Sequence, residues 1–153
     1  MIYSRPSEYA IRAFVNLAQV PQGTYAMVKD IAAEEQIPSH FLAKILQQLV
    51  HKGLLRSRRG PAGGFALRVA PDEIRLLDIV AALDGLAEYK MCASGVGLCS
   101  EAAPCALHRP WKTLRSRILD YLRRNTIAEL TQTQKHQMRA KGRRSKRIPG
   151  RKI

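Results

Sequence analysis

This sequence is short of acid: twelve Asp and Glu stand against 26 Lys and Arg, giving a net charge of +14 and a pI near 10.4. Such an excess favours a polyanionic partner over a neutral metabolite. It is unevenly placed. Nine of the basic residues and none of the acidic ones fall between Lys135 and Ile153, which leaves only +5 on residues 1–134. Long apolar runs are also missing. None approaches the roughly 18 to 20 residues of a membrane span, so no membrane partner is expected. The start, Met1-Ile2-Tyr3-Ser4-Arg5, carries no apolar core for export, which makes the cytoplasm the expected location. There are only three cysteines, Cys92, Cys99 and Cys105. An odd, clustered set fits a disulfide framework poorly and metal or redox chemistry in a reducing compartment better. No paired carboxylates, dinucleotide fingerprint or substrate-binding constellation accompanies them, so neither an enzyme nor an organic small-molecule substrate is expected.

What remains is one domain's worth of ordinary globular chain: 153 residues, 46% hydrophobic and 25% charged. Tyr9, Ala10, Ala13, Phe14 and Leu17 follow the spacing of an amphipathic helix that Pro21-Gln22-Gly23 ends. A second helix runs from about Val28 to Glu35 and is interrupted by Gln36-Ile37-Pro38. Ser39 is placed to cap a third, with Leu42, Ile45, Leu46 and Leu49 inward, His40, Lys44, Gln47 and Gln48 elsewhere, and Gly53 as the stop. Two helices and a tight turn make a helix-turn-helix candidate, although a plain helical hairpin fits the same pattern.

The next segment discriminates between these. Residues 54–59 and 65–69 read as short strands around Gly60-Pro61-Ala62-Gly63-Gly64, and a basic hairpin after a helix-turn-helix is a wing. Arg56, Arg58 and Arg59, with Gly60 at the tip, are then candidates for minor-groove or phosphate contact, while Ser39, His40 and Lys44 face the major groove. The glycines are no phosphate cradle, because the Lys-Ser/Thr ending of a P-loop is absent. Arg75 to Asp84 reads as a fourth helix stopped by Gly85. Further on, Leu107, Trp111, Leu114, Ile118 and Tyr121 recur at heptad spacing, a seam suited to pairing with another long helix. A two-fold dimer would set two reading heads about one turn of DNA apart. The tail from Lys135 lacks periodicity and reads as disordered, with non-specific phosphate contact as its functional reading.

Cys92-x6-Cys99-x5-Cys105 lies in a loop with Gly95, Gly97 and Pro104, so the backbone can curl and bring three thiolates to one point. His108 follows as a possible fourth ligand. Three sulfurs and an imidazole suit an iron-sulfur cluster or zinc. The close Cys pair of a structural zinc site is missing, which tilts the spacing toward the cluster. Unligated thiols, including a redox pair, stay open, and Glu8, supplied by a partner subunit, is a rival oxygen ligand.

These residues resemble the IscR/NsrR family of bacterial winged-helix regulators over nearly all of residues 1–130. The carriers are YAIRAFVNLA from Tyr9, IPSHFLAKILQQLVHKGLL from Ile37, the wing string RGPAGGFAL from Arg59, PCALHRPW from Pro104 and TIAEL from Thr126. The resemblance implies a homodimeric transcription factor whose 2Fe-2S or 4Fe-4S cluster reports iron-sulfur status, nitric oxide or redox state. It implies Cys92, Cys99, Cys105 and His108 as ligands, with Glu8 as the fourth in nitric oxide sensors, and Arg59 as the wing arginine. The first cysteine gap is six residues where the biogenesis regulator has five, which leaves the cluster type open.

The expected architecture is therefore mainly α with a small β-hairpin: a winged helix-turn-helix domain over residues 1–85, a cluster-binding loop over 86–106, a dimerisation helix and its end over 107–134, and a basic tail over 135–153. The expected function is repression of operators on double-stranded DNA under cluster control. The alternative is a zinc-stabilised or cluster-free winged-helix protein without redox sensing.

Overall fold

The computed structural model describes residues 2–134; the basic tail expected over 135–153 lies outside them. Within that span the chain forms six helices and a two-stranded antiparallel sheet. Helix α1, Arg5–Leu17, begins a turn earlier than its apolar pattern, because the Ser4 hydroxyl accepts the Ser7 N–H at 3.3 Å and Pro6 occupies a position that needs no N–H. Its face of Ala10, Ala13, Phe14 and Leu17 is buried.

Helix α2, Val28–Glu35, ends at Gln36 in the left-handed region, φ 54°, and Ile37 N donates to Ala32 O at 2.9 Å. That cap turns the chain into α3, Ser39–His51. Here the expected cap is corrected: Pro38 holds the extended cap position, no side chain caps the helix, and Ser39 is already helical. A serine inside the first turn no longer has the extended backbone that aims its hydroxyl at the orphan N–H groups. At the other end Gly53, φ 78°, lets Leu54 N donate back to Leu49 O at 3.0 Å.

Strands β1, Leu55–Arg58, and β2, Gly64–Leu67, pair from Leu55 with Leu67 to Arg58 with Gly64. Arg59 therefore lies beyond the strand, in the turn. Helix α4, Leu76–Leu83, precedes a 3-10 turn at Glu88–Lys90 and the cysteine loop, after which α5 runs from His108 to Arg124. The chain breaks at extended Asn125 and resumes as α6 over 127–134. The break clips both helices to the start of α4: Leu76 N donates to Asn125 O at 3.0 Å and Ile127 N to Ile74 O at 2.9 Å. Thr126 and Glu129 cap α6 reciprocally, Thr126 N to Glu129 Oε2 at 2.8 Å and Glu129 N to Thr126 Oγ1 at 3.4 Å.

One core joins these parts. Phe14, Leu42, Leu46, Leu49, Ile79, Val80, Leu122 and Ile127 are each wholly buried. Burying a side chain of this kind contributes roughly 1.5 to 3 kcal/mol, so the end of α5 is fixed to the helix-turn-helix and not merely appended to it.

Candidate nucleic-acid interface and cysteine loop

Helix α3 divides cleanly. Leu42, Ile45, Leu46 and Leu49 face the core, whereas Ser39, His40, Lys44, Gln47 and Gln48 are exposed. His40, Lys44 and Gln48 recur every four residues and so share one outward stripe. Such a stripe of short polar and cationic groups on a helix held from behind can enter a major groove.

The wing is built by contacts that the sequence pattern did not reveal. Ala26, between α1 and α2, forms a bridge with Phe65, with both N–H groups donating at 2.9 Å. A bridge one residue long has no alternation to read. Gly63 and Gly64 are needed for close approach. A Cβ on Gly63 would lie 2.2 Å from Arg58 O, and one on Gly64, at φ 129°, would lie 2.1 Å from Ala26 O. Gly60, φ 97°, accepts the Gly63 N–H at 2.9 Å and closes the tip.

The three wing arginines differ. Arg58 donates through Nη2 to Ala62 O at 3.0 Å, and its guanidinium lies 5.1 Å from the Tyr25 ring centroid. It braces the tip. The side chains of Arg56 and Arg59 are exposed and have no hydrogen-bond or ion-pair partner among the described residues, so their charge is available to an anion.

The cysteine loop folds against the start of α5. Cys92 N donates to Gly97 O at 2.7 Å and Cys99 N to Lys90 O at 2.9 Å, closing a small hairpin with a Met91–Leu98 bridge. Trp111 Nε1 donates to Met91 O at 2.8 Å and Arg115 Nη1 to Tyr89 O at 2.9 Å, anchoring that hairpin to α5. The sulfur groups form two couples rather than the single point expected of them. Cys92 Sγ lies 3.5 Å from Cys105 Sγ, and Cys99 Sγ lies 3.2 Å from His108 Nδ1. Among the described residues no three His, Cys, Asp or Glu side chains converge as a metal site. The hairpin's own hydrogen bonds turn Cys99 toward the helix start and leave Cys92 facing the segment before it.

The Ser94 hydroxyl and backbone N–H lower the Cys92 thiol from its ordinary value, with Cys105 and Cys99 adding smaller contributions. His108 is buried, not a surface group. Its Nε2 is 3.3 Å from Glu101 Oε2, an ion-pair distance without hydrogen-bond alignment, so that nitrogen has no hydrogen-bond partner. Glu101 also pairs with Lys112, and that cation, ahead of His108, holds its carboxyl below the usual carboxylate range. Glu8 lies away from these groups on α1, its carboxylate 3.9 Å from Arg12 Nη1.

The heptad seam is split. Leu107, Leu114 and Tyr121 are about half exposed, at 49%, 52% and 48%. Trp111 and Ile118 are half-buried within the protomer, Ile118 against the core. No helix among the described residues is long and apolar enough to cross a membrane.

Comparison with known proteins agrees with this geometry. The model of the Rrf2 family, described as iron-dependent transcriptional regulator, matches residues 3–133. A helix-turn-helix-type transcriptional regulator of Aquifex aeolicus is 37% identical over 132 residues, covering 85% of this chain and 91% of the relative. The regulator IscR of Vibrio cholerae is 32% identical over 122 residues, covering 80% and 70%. Among solved structures, CymR, the global cysteine regulator of Bacillus subtilis, superposes with a TM-score of 0.71 at 26% identity, covering 85% of this chain and 95% of that one. IscR of T. potens superposes with a TM-score of 0.68 at 23% identity, covering 85% of each, which speaks to the fold alone.

Proposed function

The chain belongs to the Rrf2 family of winged-helix transcriptional regulators, and from that premise we propose that it is a cytoplasmic, homodimeric repressor whose operator affinity follows the state of an iron-sulfur group, 2Fe-2S or 4Fe-4S, in the cysteine loop. The family and its relatives are regulators that bind DNA, not enzymes. In this reading Ser39, His40 and Lys44 read the major groove, Arg56, Arg59 and Gly60 place the wing, and Arg58 stiffens it.

The observation that carries the sensing half is the donor set at the head of α5: the Cys92–Cys105 couple beside Cys99 and the buried His108, whose Nδ1 faces the Cys99 sulfur at 3.2 Å. In chemistry the set fits, since thiolates are the soft ligands of iron-sulfur groups and an imidazole also suits iron. Cys92, Cys99 and Cys105 would hold the group, with His108 or the partner subunit's Glu8 as the fourth ligand. When bound, an iron-sulfur group supplies a centre sensitive to iron supply, nitric oxide and oxidants.

The chain's own part is mechanical. Trp111 and Arg115 tie the hairpin to α5, and Leu122 ties α5 to the core shared with α3. A change of order in the loop therefore reaches the reading head through packed helices. A coupling of about 1 to 3 kcal/mol would alter operator affinity roughly 5- to 150-fold.

Protein purified without oxygen tests the reading. It should contain iron and sulfide and absorb in the visible, and Cys99→Ala should abolish the absorbance and change operator affinity together. Colourless, iron-free protein that still responds to nitric oxide or peroxide would sink it. A cluster-free regulator is the second reading, favoured by the paired rather than convergent arrangement of the donors; iron and sulfide content separates the two.

A further inference from the structure

The two sulfur couples are not equivalent in what they can do without a metal. Cys92 and Cys105 place their sulfur atoms 3.5 Å apart, and nothing intervenes between them. A disulfide needs about 2.05 Å, so closure asks for a movement of roughly 1.5 Å. The chain can supply it. Between the two cysteines lie Gly95 and Gly97, at φ 76° and 127°, and an irregular stretch from Ser100 to Pro104 with few backbone hydrogen bonds. Cys105 is exposed and Cys92 partly so, which admits a small oxidant. Cys99 is differently placed. Both Cys92 and Cys99 are tethered through their backbone N–H groups, but the Cys99 sulfur faces the buried imidazole of His108 at 3.2 Å, whereas the Cys92 sulfur faces Cys105.

We propose that the metal-free loop is a thiol switch of its own, in which peroxide joins Cys92 to Cys105 and leaves Cys99 reduced beside His108. One thiol is oxidised by hydrogen peroxide to a sulfenic acid with release of water. The sulfur of the second thiol then displaces the sulfenic oxygen, the S–S bond forms, and a second water carries away the oxygen and the remaining thiol proton. Two thiols and one peroxide thus give one disulfide and two waters. The product staples the hairpin to the residue whose carbonyl accepts the His108 N–H at the head of α5. On the reading that this loop holds an iron-sulfur group, the disulfide takes away two of its ligands and keeps the chain empty until a thiol reductant reopens it.

The test uses the full-length chain, stripped of metal with a chelator, reduced, and treated anaerobically with equimolar hydrogen peroxide. Free thiols are alkylated and the peptides mapped without reduction. The expected result is a Cys92–Cys105 linkage dominant by tenfold or more over either linkage to Cys99, with Cys99 alkylated. Cys99→Ser should still form it, whereas Cys105→Ser should form no dominant intrachain linkage. A main product containing Cys99, or sulfinic acids with no linkage, overturns the proposal. None of these readouts requires iron, so a chain that never holds a cluster can still pass and a cluster-bearing chain can still fail. Reconstitution with iron and sulfide then tests the consequence: incorporation should fall at least fivefold in the oxidised chain and return after dithiothreitol, and equal incorporation would refute the latch.

Discussion

His108 presents its Nδ1 to Cys99 Sγ at 3.2 Å and its Nε2 to Glu101, so one buried imidazole stands between a sulfur and a carboxylate held by Lys112. Histidines that ligate metals are commonly oriented by a carboxylate on the far nitrogen. His108→Ala should therefore lower iron retained per chain by tenfold or more under chelator challenge, and Glu101→Gln should cause a smaller loss of the same kind. Glu8→Ala should leave retention unchanged. The opposite ranking, with Glu8→Ala losing iron and His108→Ala keeping it, would assign the fourth position to the partner subunit.

Gly63 is required by space, not by backbone angle, since an added Cβ meets Arg58 O at 2.2 Å and Arg59 C at 2.8 Å. Both are backbone atoms of the wing, so relief means displacing the tip. Gly63→Ala should keep the helical circular-dichroism signal while weakening operator binding at least tenfold. Unchanged affinity would mean that the wing does not touch DNA.

Arg58 and Arg59 should separate when each is replaced by alanine. Losing Arg58 removes the hydrogen bond to Ala62 O and the contact over Tyr25, worth about 1 kcal/mol each, so the melting temperature should fall along with affinity. Arg59→Ala should leave the melting temperature alone, cost about 1 to 3 kcal/mol of operator binding, and reduce the slope of log affinity against log salt by about 0.9 if the contact is to phosphate. A salt slope and an affinity equal to those of the parent chain would remove Arg59 from the interface.

What the sequence disclosed and what it hid follow from the range of the forces. Helices α2, α3 and α4 were legible because Leu42, Ile45, Leu46 and Leu49, and likewise Leu76, Ile79 and Val80, repeat at helical spacing, and Gly53 and Gly85 punctuate them. The wing was legible from its turn formers. The start of α1 was not, because a Ser4 cap and a Pro6 at its first turn lie ahead of any apolar repeat, and the cap of α3 was misread for the converse reason, a serine beside a proline. The Ala26–Phe65 bridge and the Arg58–Tyr25 contact join residues some forty and thirty apart in the chain, beyond any periodicity. The cysteine spacing disclosed donors but not their partners: pairing Cys99 with His108 and Cys92 with Cys105 depends on a hairpin whose hydrogen bonds are tertiary facts.

Leu107, Leu114 and Tyr121 form a single stripe seven residues apart on α5, each about half exposed, while Trp111 and Ile118 turn back into their own protomer. The stripe is therefore narrower than the five-residue seam, and its centre is Leu114. In a two-fold dimer each substitution acts twice, and an aspartate on the pairing surface meets apolar neighbours that cannot compensate its charge. Leu114→Asp should sediment at micromolar concentration as a species near 17.1 kDa, where the parent chain and Leu114→Met sediment at twice that mass. Because Leu114 contributes little to the protomer's core, thermal unfolding measured below the dissociation midpoint should be nearly unchanged. Operator affinity should fall by two orders of magnitude or more, since paired reading heads become independent and lose the effective concentration that linkage gives them. A Leu114→Asp chain that still sediments as a dimer and binds its operator as before would show that α5 pairs through some other face.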